Sequence, residues 1–333
     1  MHSRNDARKG AALMDKRYAF IGNEAVGDVV RERLDAAGWT RTDDVASAGM
    51  VVTYCTSQTA LEDAYFDENG IVQAASPNTV LIDLSASTPS FARELNAVAI
   101  VSDLAAVEAP LVVADPMLSD ALSDRDNLMC LVGGEEDDVE AARPVLDALV
   151  GTVQETGGSG SAQLARAAYT LQTSAQIMSA IEADALYRAV QRSSAAFGAT
   201  FGRAGATTPE TEQVLAAVNA GRFDGAYTVE MLMSELSAAL MAADDVDLIL
   251  PQAEACLHLL ELLAVIGGAD KAPSALALVY GEEAACSENG LDWTRAEQAY
   301  ASEEAGEDYD YDDDGDGGDG GDFPGGFGAY SAN

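Results

Sequence analysis

Short, unbroken apolar runs alternate with amphipathic stretches through the first half of the chain, and helical periodicity alone fills the second. Tyr18-Ala19-Phe20-Ile21 and the runs 50–55 and 80–84 are apolar at nearly every position, the pattern of strands buried on both faces. Each precedes a predicted helix. The first covers 27–38, with Val29, Val30 and Leu34 on one face and a glycine stop; the others cover 61–66 and 89–95. Runs 111–113 and 128–132 predict further strands around a polar loop, 119–127. A helix over 135–150 carries acids in its first turn, where the helix dipole favours them. From Ser161 onward the pattern predicts a long helix over 161–192, then helices over 208–220, 228–243, 251–266 and 272–280. The expected architecture is α/β followed by all-α: a parallel sheet covered on both faces, then a helical domain, joined by one long inter-domain helix. The domain limits that follow are an extension at 1–16, a sheet domain at 17–158, a helical domain at 159–300 and a tail at 301–333.

Beyond Glu303 the chain turns to Asp, Gly and Tyr and has too little apolar surface to fold. Asp310, Asp312, Asp314, Gly315 and Asp316 fall on the first positions of a calcium-loop register, but the twelfth is Gly321 rather than Glu, and no metal site is assigned. The net charge is −38; eleven acids lie from Glu303 onward, so the body keeps −27. Such a field excludes nucleic acid and anionic membrane as partners, and it opposes a polyanionic cofactor unless local positive charge compensates. The three lysines, Lys9, Lys16 and Lys271, lie at no motif.

Cys55, Cys130, Cys256 and Cys286 form no C-x-x-C pair and read as reduced thiols of a cytoplasmic protein. His258 reads as a half-buried helix residue, and with His2 the only other histidine, no metal cluster or Ser-His-Asp triad assembles. Near the N-terminus only residues 11–14 are apolar between basic clusters, too few for a signal-peptide core, and no run approaches the ~20 residues of a membrane span.

Candidate chemistry sits where strands end. Gly22-Asn23-Glu24-Ala25-Val26-Gly27 has the form of a G-x-G-x-x-G dinucleotide turn with Glu24 at its middle glycine. A second glycine-rich turn, 157–160, opens the long helix. Between them come Thr53-Tyr54-Cys55-Thr56-Ser57, then Asp83-Leu84-Ser85-Ala86-Ser87-Thr88-Pro89, then Leu131-Val132-Gly133-Gly134 before an acidic helix. A helix cap before Pro89 would itself call for Ser87 or Thr88. In this order, over about residues 18–285, the chain resembles the β-hydroxyacid dehydrogenases, the family of 3-hydroxyisobutyrate and 6-phosphogluconate dehydrogenases. The resemblance implies a Rossmann-like domain binding NADP or NAD at Gly22, Asn23, Gly27, Cys55, Thr56, Ser85 and Ser87. It also implies a small-molecule substrate and a homodimer formed through the C-terminal helices, for which the apolar runs 231–241 and 257–266 are suited.

Against the family pattern, several functional positions differ. In G-x-G-x-x-x-K-x-x-x-N the Lys and Asn fall on Leu164 and Ala168. With Asp115-Pro116 matched to D-A-P-V-S-G-G, the substrate-binding Ser falls on Leu118; the Lys of a K-D-L segment falls on Ser234. Residues 39–49 leave too little room for the βα unit that reads the adenine ribose, so Asp43 and Asp44 read as loop or cap residues, and one repeat is missing or collapsed. Two catalytic candidates remain, three apart on one helix face: Arg166, able to hold a carboxylate, and Tyr169, able to donate a proton as in the related imine reductases. A partly exposed pair at a domain junction would look the same. Hydroxyacid dehydrogenase activity is not expected. Two readings follow: an NAD(P)-dependent oxidoreductase with divergent chemistry on an imine-like or carbonyl substrate, or an inactive dimeric scaffold that has lost its cofactor.

Overall fold

The computed structural model describes residues 16–195, 208–281 and 283–298. The expected N-terminal extension, apart from Lys16, and the acidic tail with its calcium register lie outside the described residues.

The first half builds one mixed sheet. Its elements are β1 (Arg17–Gly22), α1 (Glu24–Ala36), β2 (Thr40–Arg41), β3 (Met50–Tyr54), α2 (Gln58–Phe66), α3 (Ile71–Ala74), β4 (Val80–Asp83) and α4 (Pro89–Val101). There follow β5 (Ala105–Glu108), β6 (Leu111–Val113), β7 (Leu128–Gly133), α5 (Glu136–Leu149) and β8 (Thr152–Gly157). The strand order is β2-β1-β3-β4-β5-β7-β6, with β8 also paired to β7.

The expected parallel sheet holds from β2 to β5, but β7 runs antiparallel to both β5 and β6. Only Ala109 and Pro110 separate β5 from β6, far short of a crossover, so parallel winding stops there.

Adjacent strand residues face opposite cores, which explains the unbroken apolar runs. Val52 and Ile82 pack with Val26, Val30 and Leu34 of α1 and Val145 and Leu146 of α5. Val51 and Leu81 pack with Leu61 and Tyr65 of α2 and Phe91 and Leu95 of α4.

The second half is helical. The inter-domain helix α6 (Ser161–Ala195) has 35 residues, about 50 Å of axis. Around it lie α7 (Pro209–Asn219), α8 (Val229–Asp244), α9 (Pro251–Leu263), α10 (Leu276–Val279) and α11 (Glu283–Glu288). Met231, Leu232, Leu236, Leu260 and Leu263 join the core begun by α1 and α5, so the apolar runs expected to dimerise are largely consumed within one chain. Exposed apolar side chains instead cluster in sequence at Val246, Leu248 and Ile249, after α8. His258, expected half-buried, is on the exposed face of α9. All four cysteines are free and buried, and burial pushes the Cys55 and Cys130 thiols up to about 11 and about 12. Among the described residues no single helix is long and apolar enough to cross a membrane.

Candidate functional site at the strand ends

The glycine turn after β1 is built by close packing. Gly22 has φ +129°, and a Cβ there would overlap the carbonyl of Tyr54, which also accepts the Asn23 N–H (2.8 Å). Gly27 lies against the Phe20 ring. The intervening residues close the helix end on itself. Asn23 Oδ1 accepts the N–H groups of Ala25 (3.0 Å) and Val26 (3.3 Å), and Glu24 adds an exposed carboxylate in the same turn.

After α1 the expected gap is real. β2 keeps two residues, and a single 3-10 turn (Val45–Ser47) leads to β3. Asp44 caps that turn, accepting from the Ala46 N–H at 3.1 Å, and Asp43 lies 3.8 Å from Arg41. Both acids therefore have local roles.

Three loops converge at the ends of β3 and β4. Asp83 is fully buried; it accepts from Thr53 Oγ1 (3.1 Å) and the Ser85 N–H (3.0 Å), and Thr53 also meets Tyr65 Oη (2.7 Å). Burial raises the Asp83 carboxyl to about 6 despite these bonds. Ser85 Oγ accepts the Cys55 N–H (2.9 Å), tying the two strand ends together. Gln163, on the first turn of α6, clamps the next loop: Nε2 donates to the Ser85 carbonyl and Oε1 accepts the Ser87 N–H, both at 3.0 Å. Ser87 Oγ and Gln58 Oε1 are buried with no protein partner among the described residues.

Beside these loops a cavity of about 190 Å³ opens between α2 and α8, lined by Thr56, Ser57, Gln58, Glu230, Ser234 and Met241 among others. Thr56 Oγ1 donates to Glu230 Oε1 across it at 3.1 Å.

The glycine-rich turn before α6 is filled from within. Glu108, at the end of β5, accepts from the N–H groups of Ala162 (3.1 Å) and Gln163 (3.4 Å), so the helix terminus already holds a carboxylate. Burial raises the Glu108 carboxyl, and those N–H groups oppose the rise. A Cβ on Gly133 would overlap Glu108 Oε1, which accounts for that glycine.

The two catalytic candidates sit elsewhere. Arg166 is not a partly exposed residue: its side chain is 3% exposed and paired with Glu235. Its Nε donates to the Leu111 carbonyl (3.0 Å) and its Nη1 to Thr170 Oγ1 (2.7 Å). Glu235 also accepts from Tyr227 Oη at 2.6 Å, and burial, then Glu235, drive the Tyr227 hydroxyl well above its ordinary range. Tyr169 packs its ring on Arg166, 5.6 Å from the guanidinium, with Oη 3.5 Å from the Val113 carbonyl. It borders a separate space of about 40 Å³ with Pro116 and Met117. Leu164 and Ala168 lie on the exposed face of α6.

Comparison with known proteins agrees with this frame. Residues 18–158 match the NAD-binding domain of 6-phosphogluconate dehydrogenase. An uncharacterised oxidoreductase of Bacillus subtilis, YkwC, is 28% identical over 136 residues, 41% of this chain and 46% of the relative. A probable 3-hydroxyisobutyrate dehydrogenase of Mycobacterium bovis is 30% identical over 139 residues, 42% of this chain and 45% of the relative. The chain spans about half the length of the curated relatives it matches. The 3-hydroxyisobutyrate dehydrogenase structure from Salmonella typhimurium covers 79% of this chain and 99% of its own, with TM-score 0.62 and 16% identity. The Mycobacterium tuberculosis enzyme structure, with L-serine, covers 80% and 99%, with TM-score 0.61 and 20% identity; both share the fold.

Residues 18–158 carry an NAD-binding domain of the 6-phosphogluconate dehydrogenase type.

Set against the resembled family's pattern, one matched motif shifts. Glu108-Ala109-Pro110 ends β5 beside Gly133, and it resembles the D-A-P of D-A-P-V-S-G-G better than Asp115-Pro116 does. On that match the position of the family's substrate-binding Ser would be Val112 rather than Leu118. Ser234 lines the 190 Å³ cavity. For a nicotinamide dinucleotide the two ends of the site differ. The Cys55, Thr56, Ser85 and Ser87 loops, with a Ser87 hydroxyl that has no partner among the described residues, would suit a nicotinamide end. Asn23 and Glu24 do not fit a pyrophosphate, since one takes the helix N–H groups and the other adds like charge. Gln163 and Glu108 were not legible as residues that shape the strand-end loops; only the acid closing an apolar strand at Glu108 could have signalled one.

Proposed function

We propose that the chain is an NAD(P)-dependent oxidoreductase of this family whose chemistry departs from hydroxyacid oxidation. The observation that carries the reading is the buried, unpartnered Ser87 hydroxyl on a loop clamped by Gln163, at the strand end where the family holds its nicotinamide. A nicotinamide bound there would supply a hydride. Leu164 and Ala168 offer no proton to a hydroxyl, Arg166 is held by Glu235, and Tyr169 borders another space. The neighbouring cavity presents the Glu230 carboxylate and Thr56 hydroxyl, which favours a substrate bearing positive charge and its own proton, such as a protonated imine, over a hydroxy acid. A homodimer belongs to this reading, with Val246, Leu248 and Ile249 as exposed apolar surface.

A second reading, a cofactor-free scaffold, is favoured by Asn23 Oδ1 on the Ala25 and Val26 N–H groups and by Glu24 beside them. Calorimetry with NADPH and NADH on the full chain in molar KCl, which screens the acidic surface, separates the two. Micromolar binding, tightened by Glu24→Gly and weakened by Ser87→Val, supports the oxidoreductase. No binding at millimolar nucleotide leaves the scaffold.

A further inference from the structure

The helical domain holds a second cavity, about 300 Å³, that shares no lining residue with the strand-end loops. It is formed by the C-terminal half of α6, the end of α7, and α10 and α11. Phe223 and Leu278 give it apolar surface, and Arg188 and Arg192, one turn apart on α6, share one face of it. In a chain with 18 basic and 56 acidic side chains, two guanidinium groups lining one cavity is a marked concentration. Arg188 is held in place: its Nε donates to Asp184, which is 6% exposed, and its Nη2 to Asn219 Oδ1 (2.8 Å). With Nε and Nη2 so engaged, the guanidinium is oriented in advance and Nη1 is the donor it keeps for a ligand. Across the cavity stand Tyr280, whose Oη donates to Glu182 (3.1 Å), and Asn289.

We infer that this cavity is a binding site for a small carboxylate with an apolar or aromatic body. The carboxylate lies against the Arg188 and Arg192 face, and the body lies on Phe223 and Leu278. The volume is at the low end of small-molecule sites, about 300–1,000 Å³, which suits a compact ligand and not a dinucleotide. Asp184, which lines the cavity and pairs with Arg188, disfavours a dianion, which selects a carboxylate over a phosphate monoester. The site is independent of the nucleotide question at the strand ends.

The test is calorimetric titration of the full chain with 4-phenylbutyrate and, as a neutral counterpart, 4-phenylbutanol. The expected result is saturable binding near one per chain, with the acid bound about tenfold or more tighter than the alcohol. Arg188→Gln with Arg192→Gln should erase that preference, with folding checked by circular dichroism. Because the double change also breaks the Asp184 contact, Ala277→Phe gives a second arm: it fills the cavity, keeps both arginines and should abolish binding of both compounds. Absence of saturable binding, equal affinity for acid and alcohol, or binding that survives Ala277→Phe would each overturn the assignment.

Discussion

Arg166 of α6 and Glu235 of α8 form an ion pair with side chains 3% and 5% exposed, so a charge that looked available for substrate is spent inside the protein. It joins the inter-domain helix to β6, through Leu111, and to α8. A buried charge is costly once its partner is gone. Glu235→Leu should therefore lower unfolding free energy by about 3–5 kcal/mol, while Arg166→Met with Glu235→Leu should recover most of that loss. Denaturant unfolding of the two single variants and the double variant checks it; additive losses would argue against a coupled pair.

Asp83 gives a pH signature with a definite sign. Its folded-state value, about 6, lies above the ordinary 3.8, so the folded state holds the proton more tightly. Stability from this group is full below about pH 4 and falls as pH rises through about 6. Asp83→Asn keeps an acceptor for Thr53 and Ser85 without the buried charge. Relative to the parent, it should be more stable at pH 7 than at pH 4 by roughly 2–3 kcal/mol. Chemical denaturation at both pH values reads the difference; a variant whose effect is equal at both would contradict the shift.

Gln163 acts as a strut between α6 and the Ser85 to Ser87 loop. Gln163→Ala strands the buried Ser87 N–H and should cost about 1–3 kcal/mol. Hydrogen exchange should show that amide losing protection while the strands stay protected. Unchanged exchange at Ser87 would remove the strut role.

Net charge makes stability depend on salt. At −38 the surface repels itself, and screening shortens from about 10 Å at 0.1 M salt to about 3 Å at 1 M. The melting temperature should rise steadily with KCl over that range. A flat or falling profile would mean the acids are already compensated.

The sequence disclosed what depends on local pattern. β1, β3 and β4 were legible because both faces are buried, and α6 because its periodicity is long. β5 was hidden: Ala105-Ala106-Val107-Glu108 is alanine-rich and ends in an acid that is buried only because α6 turns its N–H groups toward it. β8 was hidden because its side chains are largely exposed, so no apolar run marks it. The site divided in the same way. The glycines at 22 and 27 announce themselves through backbone geometry, but Gln163 finds Ser87 seventy-six residues away, and Arg166 finds Glu235 on another helix. Helical spacing put Arg166 and Tyr169 together correctly and could say nothing about which side of the molecule they served.

The brevity of β2 bears on self-association as well. Among the described residues the sheet ends at β2 on only Thr40 and Arg41, both exposed, one of them charged. A boundary that brief gives an incoming strand almost no ladder to extend and a cation to bury. So short an edge strand leaves that margin of the sheet guarded against fibre growth.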